Sequence, residues 1–374
     1  MKASFLAAVL LSLSFASCRS AYAGGGDSAN AAPHGWNRFT AAKYLDTRQT
    51  WWMNWPKARR DHETACISCH TAVPYALSRL TLRHALNESS PSAPEREMLG
   101  YITRRVTLWN ELEPFYSDQK VGPRKTVESR GTESVLNALI LVRYDSLQGK
   151  HLSPLTEQAL HNMWATQLTS GDVAGSWEWL NFHNAPWESD ESHYYGAALA
   201  AVTVAIAPDH YRNRPEIQKG LASLREYLTK NYDKQPMANR LVVLWAAKNV
   251  PGLLTKTQHK ALLEDLQRLQ RPDGGWSLKD FGQWKRRDNT PVDARSDGYA
   301  TGLTVFALKE SGISPRRPEM KRAVQWLIVN QDATQGLWPA YSLNKQRDPA
   351  TDAARFMNDA ATSYAVMALE DVRR

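Results

Sequence analysis

The sequence predicts an all-α protein built as a ring of about five to six helical hairpins. Three observations carry that expectation. The C-terminal half repeats itself: Ala300–Leu308 aligns with Ala361–Leu369 at an offset of 61, with five of nine positions identical, and Trp276 and Trp338 lie 62 apart. A period of this length is the signature of stacked supersecondary units. Several segments, such as Ala197–Ile206, are apolar nearly all round, and a helix of that kind must be buried on several sides. No run of residues alternates as a set of strands would.

In chain order, the hairpins pair Glu95–Trp109 with Glu133–Val142, Leu155–Gln167 with Tyr195–Val204, and Glu216–Leu228 with Asn239–Lys248. The last two units contain Trp276 and Trp338 and end in Ala300–Leu308 and Ala361–Leu369. The segment around Cys66–Leu86 is a candidate sixth. A closed ring buries one helix of every hairpin behind an outer one. An open solenoid is the alternative that the repeat leaves standing.

Ahead of the hairpins, residues 1–23 read as a signal peptide, with Lys2 before an apolar run from Ala3 to Ala16 that is too short to span a bilayer. Ala21-Tyr22-Ala23 offers a cleavage site, and Phe15-Ala16-Ser17-Cys18 competes with it as a lipobox that would attach the protein to a membrane through Cys18. The expected location is therefore periplasmic or otherwise exported. Residues 24–50 read as a flexible tether, 51–94 as an N-terminal segment packed on the ring, and 95–374 as the ring itself.

The formal net charge is +8, and cleavage after Ala23 removes Lys2 and Arg19 to leave +6. That excess is spread out, apart from Lys285-Arg286-Arg287 and Arg316-Arg317, and gives no footprint for nucleic acid. Of three cysteines, only Cys66 and Cys69 remain beyond the leader.

Those two cysteines lie in Cys66-Ile67-Ser68-Cys69-His70. Two thiols at this spacing can add to the vinyl groups of a heme, and the adjacent histidine can ligate its iron. In an oxidising compartment they can equally form a local disulfide or redox pair. The heme reading expects one covalent heme c on Cys66 and Cys69 with His70 as the iron ligand. Met98 is a candidate distal ligand, with Met53, His62 and His84 nearer in sequence. Trp51, Trp52 and Trp55 either wall a porphyrin or pack the N-terminal segment onto the ring, and Arg59-Arg60 can pair with propionates.

Arg322-Ala323, Trp326-Leu327, Gln331 and Gly336-Leu337-Trp338 resemble the QW motif of squalene–hopene and oxidosqualene cyclases, with one extra residue before the glycine. Gln270 with Gly274-Gly275-Trp276 matches the end of that motif, although Asp265 stands at its aromatic position, and Gln167 with Gly175-Ser176-Trp177 is a looser copy. The resemblance covers roughly residues 95–374 and implies an α/α toroid of the terpenoid cyclase and prenyltransferase kind. It also implies that each glutamine bonds backbone groups at helix ends while the tryptophan stacks on it. These residues are braces, not catalysts.

The cyclases' acidic cluster has its nearest counterpart in Asp190 and Glu191, with His193 beside them, ahead of Tyr195–Val204. Paired carboxyls and a hydrogen-bonded histidine can keep one acid protonated. Alternatively Ser189 and Asp190 cap the helix, as Ser296-Asp297 and Asn358-Asp359 would cap theirs. The zinc site of toroid prenyltransferases needs a cysteine, and none follows Cys69. The expectation at this level is an exported heme protein acting in electron transfer, with a redox partner protein, or in oxidation of an apolar, isoprenoid-like ligand. A diverged terpenoid cyclase or isomerase and a non-catalytic binding toroid are the alternatives.

Overall fold

The computed structural model describes residues 35–117, 124–149 and 151–370. The expected signal peptide and Cys18 lie outside the described residues, as does the tether up to residue 34. Among the described residues, no helix is long and apolar enough to cross a membrane.

Twelve α-helices make up the described chain: α1 (Arg38–Asn54), α2 (Ala72–Ala85), α3 (Ala93–Thr107), α4 (Arg124–Gln148), α5 (Pro154–Ala165), α6 (Ser192–Ile206), α7 (Gln218–Asn231), α8 (Met237–Ala247), α9 (Lys256–Leu269), α10 (Gly298–Glu310), α11 (Pro318–Val329) and α12 (Phe356–Leu369). The even-numbered helices pack side by side in order, and α12 packs on α2 to close the circle. The chain is an α/α toroid of six hairpins, the upper end of the expected count.

Side-chain pattern explains which helix goes inside. In α10 every residue from Gly298 to Leu308 is buried, and α2 is buried from Ala72 to Arg83. The outer helices are amphipathic instead; α9 buries only Leu262 and Leu266. Burying apolar surface all round an inner helix requires a complete outer layer, which the six odd-numbered helices provide.

The start of the ring differs from the expected boundaries. Residues 38–50, assigned to the tether from sequence, are helical, and α1 is the outer partner of α2. The segment carrying Cys66–His70 joins these two helices, so it belongs to the ring. It contains a small antiparallel pair, Arg59–Arg60 with Thr64–Ala65.

Three glutamines tie neighbouring outer helices together. Gln167, just past α5, donates to the Gly175 carbonyl at 3.1 Å and to the Gly220 carbonyl in α7 at 3.0 Å. Gln270 donates to the Gly274 carbonyl and to the Glu319 carbonyl in α11, both at 2.8 Å. Gln331 donates to the Asn37 carbonyl at 3.0 Å and accepts from the Asn37 amide at 2.7 Å, joining the last hairpin to the first. The Asn37 amide is one of the N–H groups that the start of α1 leaves unpaired, and Gln331 satisfies it; the remaining bonds go to carbonyls and tie the helices together. The indole N–H groups of Trp177, Trp276 and Trp338 donate to the Met163, Leu266 and Leu327 carbonyls at 2.6, 2.8 and 2.7 Å.

The glycine after each glutamine is there for approach as well as for backbone freedom. Gly336 has φ +78°, and a Cβ there would sit 2.2 Å from the Thr40 carbonyl oxygen of α1. Gly175, at φ +92°, would meet the Ser223 carbonyl oxygen of α7 at the same 2.2 Å. Only glycine fits either position.

Candidate functional site

Cys66–His70 lies at the entry to inner helix α2, and Asp190, Glu191 and His193 lie at the entry to inner helix α6. At the centre of the ring, Trp187 donates its indole N–H to the Tyr299 hydroxyl at 3.2 Å, and Tyr299 meets Tyr364 edge-on at 5.3 Å. Tyr195, Tyr299, Tyr364 and Trp187 are all buried, and the axis of the ring is filled with aromatic side chains.

Cys66–His70 lies in the turn leading into α2. Both cysteines are unpaired and face the core, at 6% and 3% exposure. Burial pushes the Cys66 thiol up to about 12 and raises Cys69 well above the usual thiol range, where Glu188 adds to the effect. Such thiols are held protonated and inert. The His70 ring stacks on Phe356 of α12 at 3.9 Å and meets Trp52 edge-on at 4.8 Å. Its Nδ1 lies 2.8 Å from the Thr71 hydroxyl. Burial, with Arg48 and Arg347 nearby, pushes the imidazole down to about 3 and keeps it neutral.

Thioether bonds to a porphyrin would need both sulfurs at its edge, whereas here both thiols are buried in the core; of the His70 nitrogens only Nδ1 has a hydrogen-bond partner among the described residues. The named distal candidates do not help. Met98 and Met53 are buried in α3 and α1, His84 is exposed, and His62 is exposed beside Asp61 at 3.2 Å. No group of three metal-ligating side chains exists among the described residues. Trp51, Trp52 and Trp55 pack against Phe356, so they fasten α1 to α12. Arg60 lies over the Tyr116 ring at 4.8 Å, and Arg59 donates to Asn54.

A buried carboxylate expected from sequence only as a helix cap holds this turn in place. Asp359, in the first turn of α12, accepts from Tyr44 at 2.7 Å, Arg48 at 2.8 Å and Thr71 at 2.7 Å. It thereby links α1, α12 and the turn that carries His70, and does not cap α12 as expected. Asp297 does cap α10, accepting from the Ala300 amide at 2.8 Å.

The acidic pair lies to one side of the axis. Asp190 and Glu191 line an open cleft of about 840 Å³, facing Asp233 and Arg240 at the start of α8 and Asp280 and Trp284 of the following loop. Asp190 is exposed and accepts from Asn181 Nδ2 at 2.8 Å, with His183 Nδ1 at 3.1 Å. The Asn181 bond, then His183, holds its carboxyl below the usual range. Glu191 accepts from the Ser189 hydroxyl at 2.8 Å. Asn344 fixes the loop beneath them through two 2.8 Å bonds to the backbone of Ala185. Trp284 is anchored by its indole N–H on the Leu278 carbonyl at 2.7 Å.

His193 is separated from this pair. Its Nε2 faces Glu178 at 3.6 Å, and burial holds its pKa below the ordinary value. Neither Ser189 nor Asp190 caps α6, whose N-cap Glu191 makes no side-chain capping bond. The cleft's opposite wall escaped the sequence reading because Asp233 comes from the α7–α8 connection and Asp280 and Trp284 from the α9–α10 connection, far from Asp190 in sequence.

No family model matches the chain, and no curated protein matches it in sequence. Solved structures do match. The α-1,6-mannanase GH76A from Salegentibacter sp. HEL1_6 matches with a TM-score of 0.51 and 10% identity, over 89% of this chain and 99% of that one. The fold is the one that mannanase uses. An inactive variant of the same enzyme with α-1,6-mannotriose, and another with α-1,6-mannotetrose, match at a TM-score of 0.49, with 10% identity, 89% coverage of this chain and 100% of theirs.

The solved structures are glycoside hydrolases, which overturns the resemblance to squalene-type cyclases and the heme-carrying oxidoreductase and terpenoid cyclase functions expected from it. The physical reasons lie in the side chains. The axis where a polyene would lie is filled by Trp187 and three tyrosines, the thiols are buried and protonated, and the open cleft is lined by charged groups. The fold is an α/α toroid, as in that mannanase.

Proposed function

We propose that the protein hydrolyses a glycosidic bond in a glycan bound in the open cleft, with Asp190 and Glu191 as its catalytic residues. The observation that carries this reading is the pair of adjacent carboxyls on the wall of a polar cleft, at the start of an inner helix of a hydrolase-type toroid. Glycoside hydrolysis needs one carboxyl to protonate the leaving oxygen and a second, ionised, to act on the other side of the bond. Asp190, held as the anion by Asn181 and His183, suits the second task. Glu191, beside it, supplies the proton.

In a single displacement the glycosidic C–O bond breaks as its oxygen takes the proton of Glu191. Water forms the new bond to the anomeric carbon and gives its proton to Asp190. Trp284, fixed across the cleft, offers a flat apolar face on which the C–H side of a sugar ring can stack. An open cleft with charged walls suits a hydroxyl-rich chain better than an apolar ligand.

The test is release of reducing ends from α- and β-linked oligosaccharides, beginning with α-1,6-linked mannan. Asp190→Asn and Glu191→Gln should each lower the rate by about 10²–10⁴-fold with the fold intact by circular dichroism. If the native protein cleaves none of the panel, or if the variants keep its rate, the proposal fails.

A further inference from the structure

A second cavity, of about 660 Å³, opens beside the start of α12 and has a different character from the acidic cleft. Its lining contains Arg286, Arg295, Arg347 and Arg355, against the two carboxylates Asp293 and Asp332. Both carboxylates are already engaged. Asp293 takes the Arg295 guanidinium at 3.1 and 2.7 Å, and that guanidinium also lies over the Tyr341 ring at 4.4 Å. Asp332 accepts from the Thr334 and Gln335 amides at 2.9 and 2.8 Å, and from the Gln335 side chain at 3.0 Å.

The other three arginines bond no carboxylate among the described residues, although Asp293 lies close enough to Arg286 to feel its charge. Arg286 is buried, at 8% exposure, and its guanidinium donates only to uncharged oxygens: the Ser342 carbonyl at 2.9 and 2.7 Å, the Pro291 carbonyl at 2.7 Å and the Thr290 hydroxyl at 3.4 Å. The side chains of Arg347 and Arg355, both half-buried, make no ion pair or hydrogen bond among the described residues. A buried guanidinium without a carboxylate is costly, and two more beside it raise the cost, unless an anion shares the site. Consistent with crowded positive charge, Arg347 is held below the ordinary guanidinium range by burial and by Arg287.

The backbone adds to the same field. Arg355 is the N-cap of α12 and makes no side-chain capping bond, so the first-turn amides of that helix carry their partial positive charge beside the cavity. Guanidinium groups present planar pairs of donors that match the oxygens of phosphate and carboxylate.

We propose that this cavity binds a small ligand through an oxyanion group, a phosphate or carboxylate, held by Arg347 and Arg355 over the fixed charge of Arg286. The site is separate from the acidic cleft and does not depend on the hydrolase reading. An acidic or phosphorylated small molecule is the class of ligand that its charge selects.

The test is thermal denaturation of the full chain at low ionic strength, titrated with inorganic phosphate, with succinate, and with sodium chloride at matched ionic strength. Either oxyanion should raise the melting temperature saturably beyond the chloride effect, because a ligand of the native state stabilises it. A response to phosphate alone assigns a phosphoryl group, and one to succinate alone a carboxylate. In Arg347→Gln/Arg355→Gln the shift should fall at least about fivefold, while Arg212→Gln, in the turn after α6 and outside the cavity lining, should keep it. The single variant Arg347→Gln serves if the double variant does not fold, and should show a reduced shift. The proposal is overturned if neither oxyanion exceeds chloride, or if the arginine variants respond as the native protein does.

Discussion

His70 shows how far a residue's chemistry depends on what packs around it. Its place in the Cys66–His70 motif was plain in the sequence, but its neighbour Phe356 comes from the last helix, and nothing local to the motif predicts a stacked, neutral imidazole. The same enclosure makes His70 a pH-sensitive element of stability. Its folded-state pKa of about 3 lies below the ordinary 6.5, so between those values the unfolded chain binds a proton that the folded one refuses. Stability is therefore lost as pH falls from about 6.5 towards 3. Glu188 acts in the opposite sense. Burial raises it from 4.5 to about 7, so the folded state holds the extra proton and stability declines as pH rises through that interval. The two windows overlap and oppose each other between pH 4.5 and 6.5, so in urea unfolding across pH 3–8 the variants separate them. His70→Phe, which keeps the stack on Phe356, should remove the acid-side loss, and Glu188→Gln should flatten the decline towards neutrality. Unchanged profiles would contradict both assignments.

At the scale of elements, the inner helices were legible because a segment apolar on every side has few places to go. Helix α1 was not. It buries Arg48 and Gln49 alongside Tyr44, Leu45 and Trp52, so its inward face reads as polar until Asp359 and Asp352 are seen opposite Arg48. Removing that counter-charge should be severe. Asp359→Ala leaves the Arg48 guanidinium buried without its main partner, and unfolding in urea should show a loss of about 3–5 kcal/mol. The glutamine braces are predicted to be weaker individually. Gln331→Ala, which deletes bonds to Asn37 and Gly336, should cost about 1–3 kcal/mol, whereas an exposed glutamine such as Gln325 should cost almost nothing. Gly336→Ala combines an unfavourable positive φ with a clash on Thr40 and should cost about 2–3 kcal/mol by the same measurement.

For the molecule as a whole, the repeat in the C-terminal half announced stacked hairpins and favoured a ring without by itself excluding a solenoid. What decides between them is a set of contacts between the chain's two ends: α12 on α2, Gln331 on Asn37, and Asp359 on Tyr44, Arg48 and Thr71. These pair residues nearly a whole chain apart, and a repeat period carries no trace of them. The candidate site was half legible because its two walls come from consecutive hairpins. Asp190 and Glu191 stand together in sequence ahead of an inner helix, whereas Asp233, Asp280 and Trp284 reach the cleft from other hairpins. Closure also fills the axis with Trp187 and its tyrosines, which moves the accessible chemistry to the side of the ring. The central claim is that a glycan lies in that lateral cleft with its glycosidic bond at Asp190 and Glu191. The most direct measurement is a crystal structure of Asp190→Asn/Glu191→Gln with a saturating oligosaccharide drawn from the hydrolysed substrates. The account predicts sugar density in the cleft, a ring on Trp284, and a glycosidic oxygen within hydrogen-bond reach of residue 191. Density elsewhere on the toroid, or an empty cleft at saturation, would contradict it.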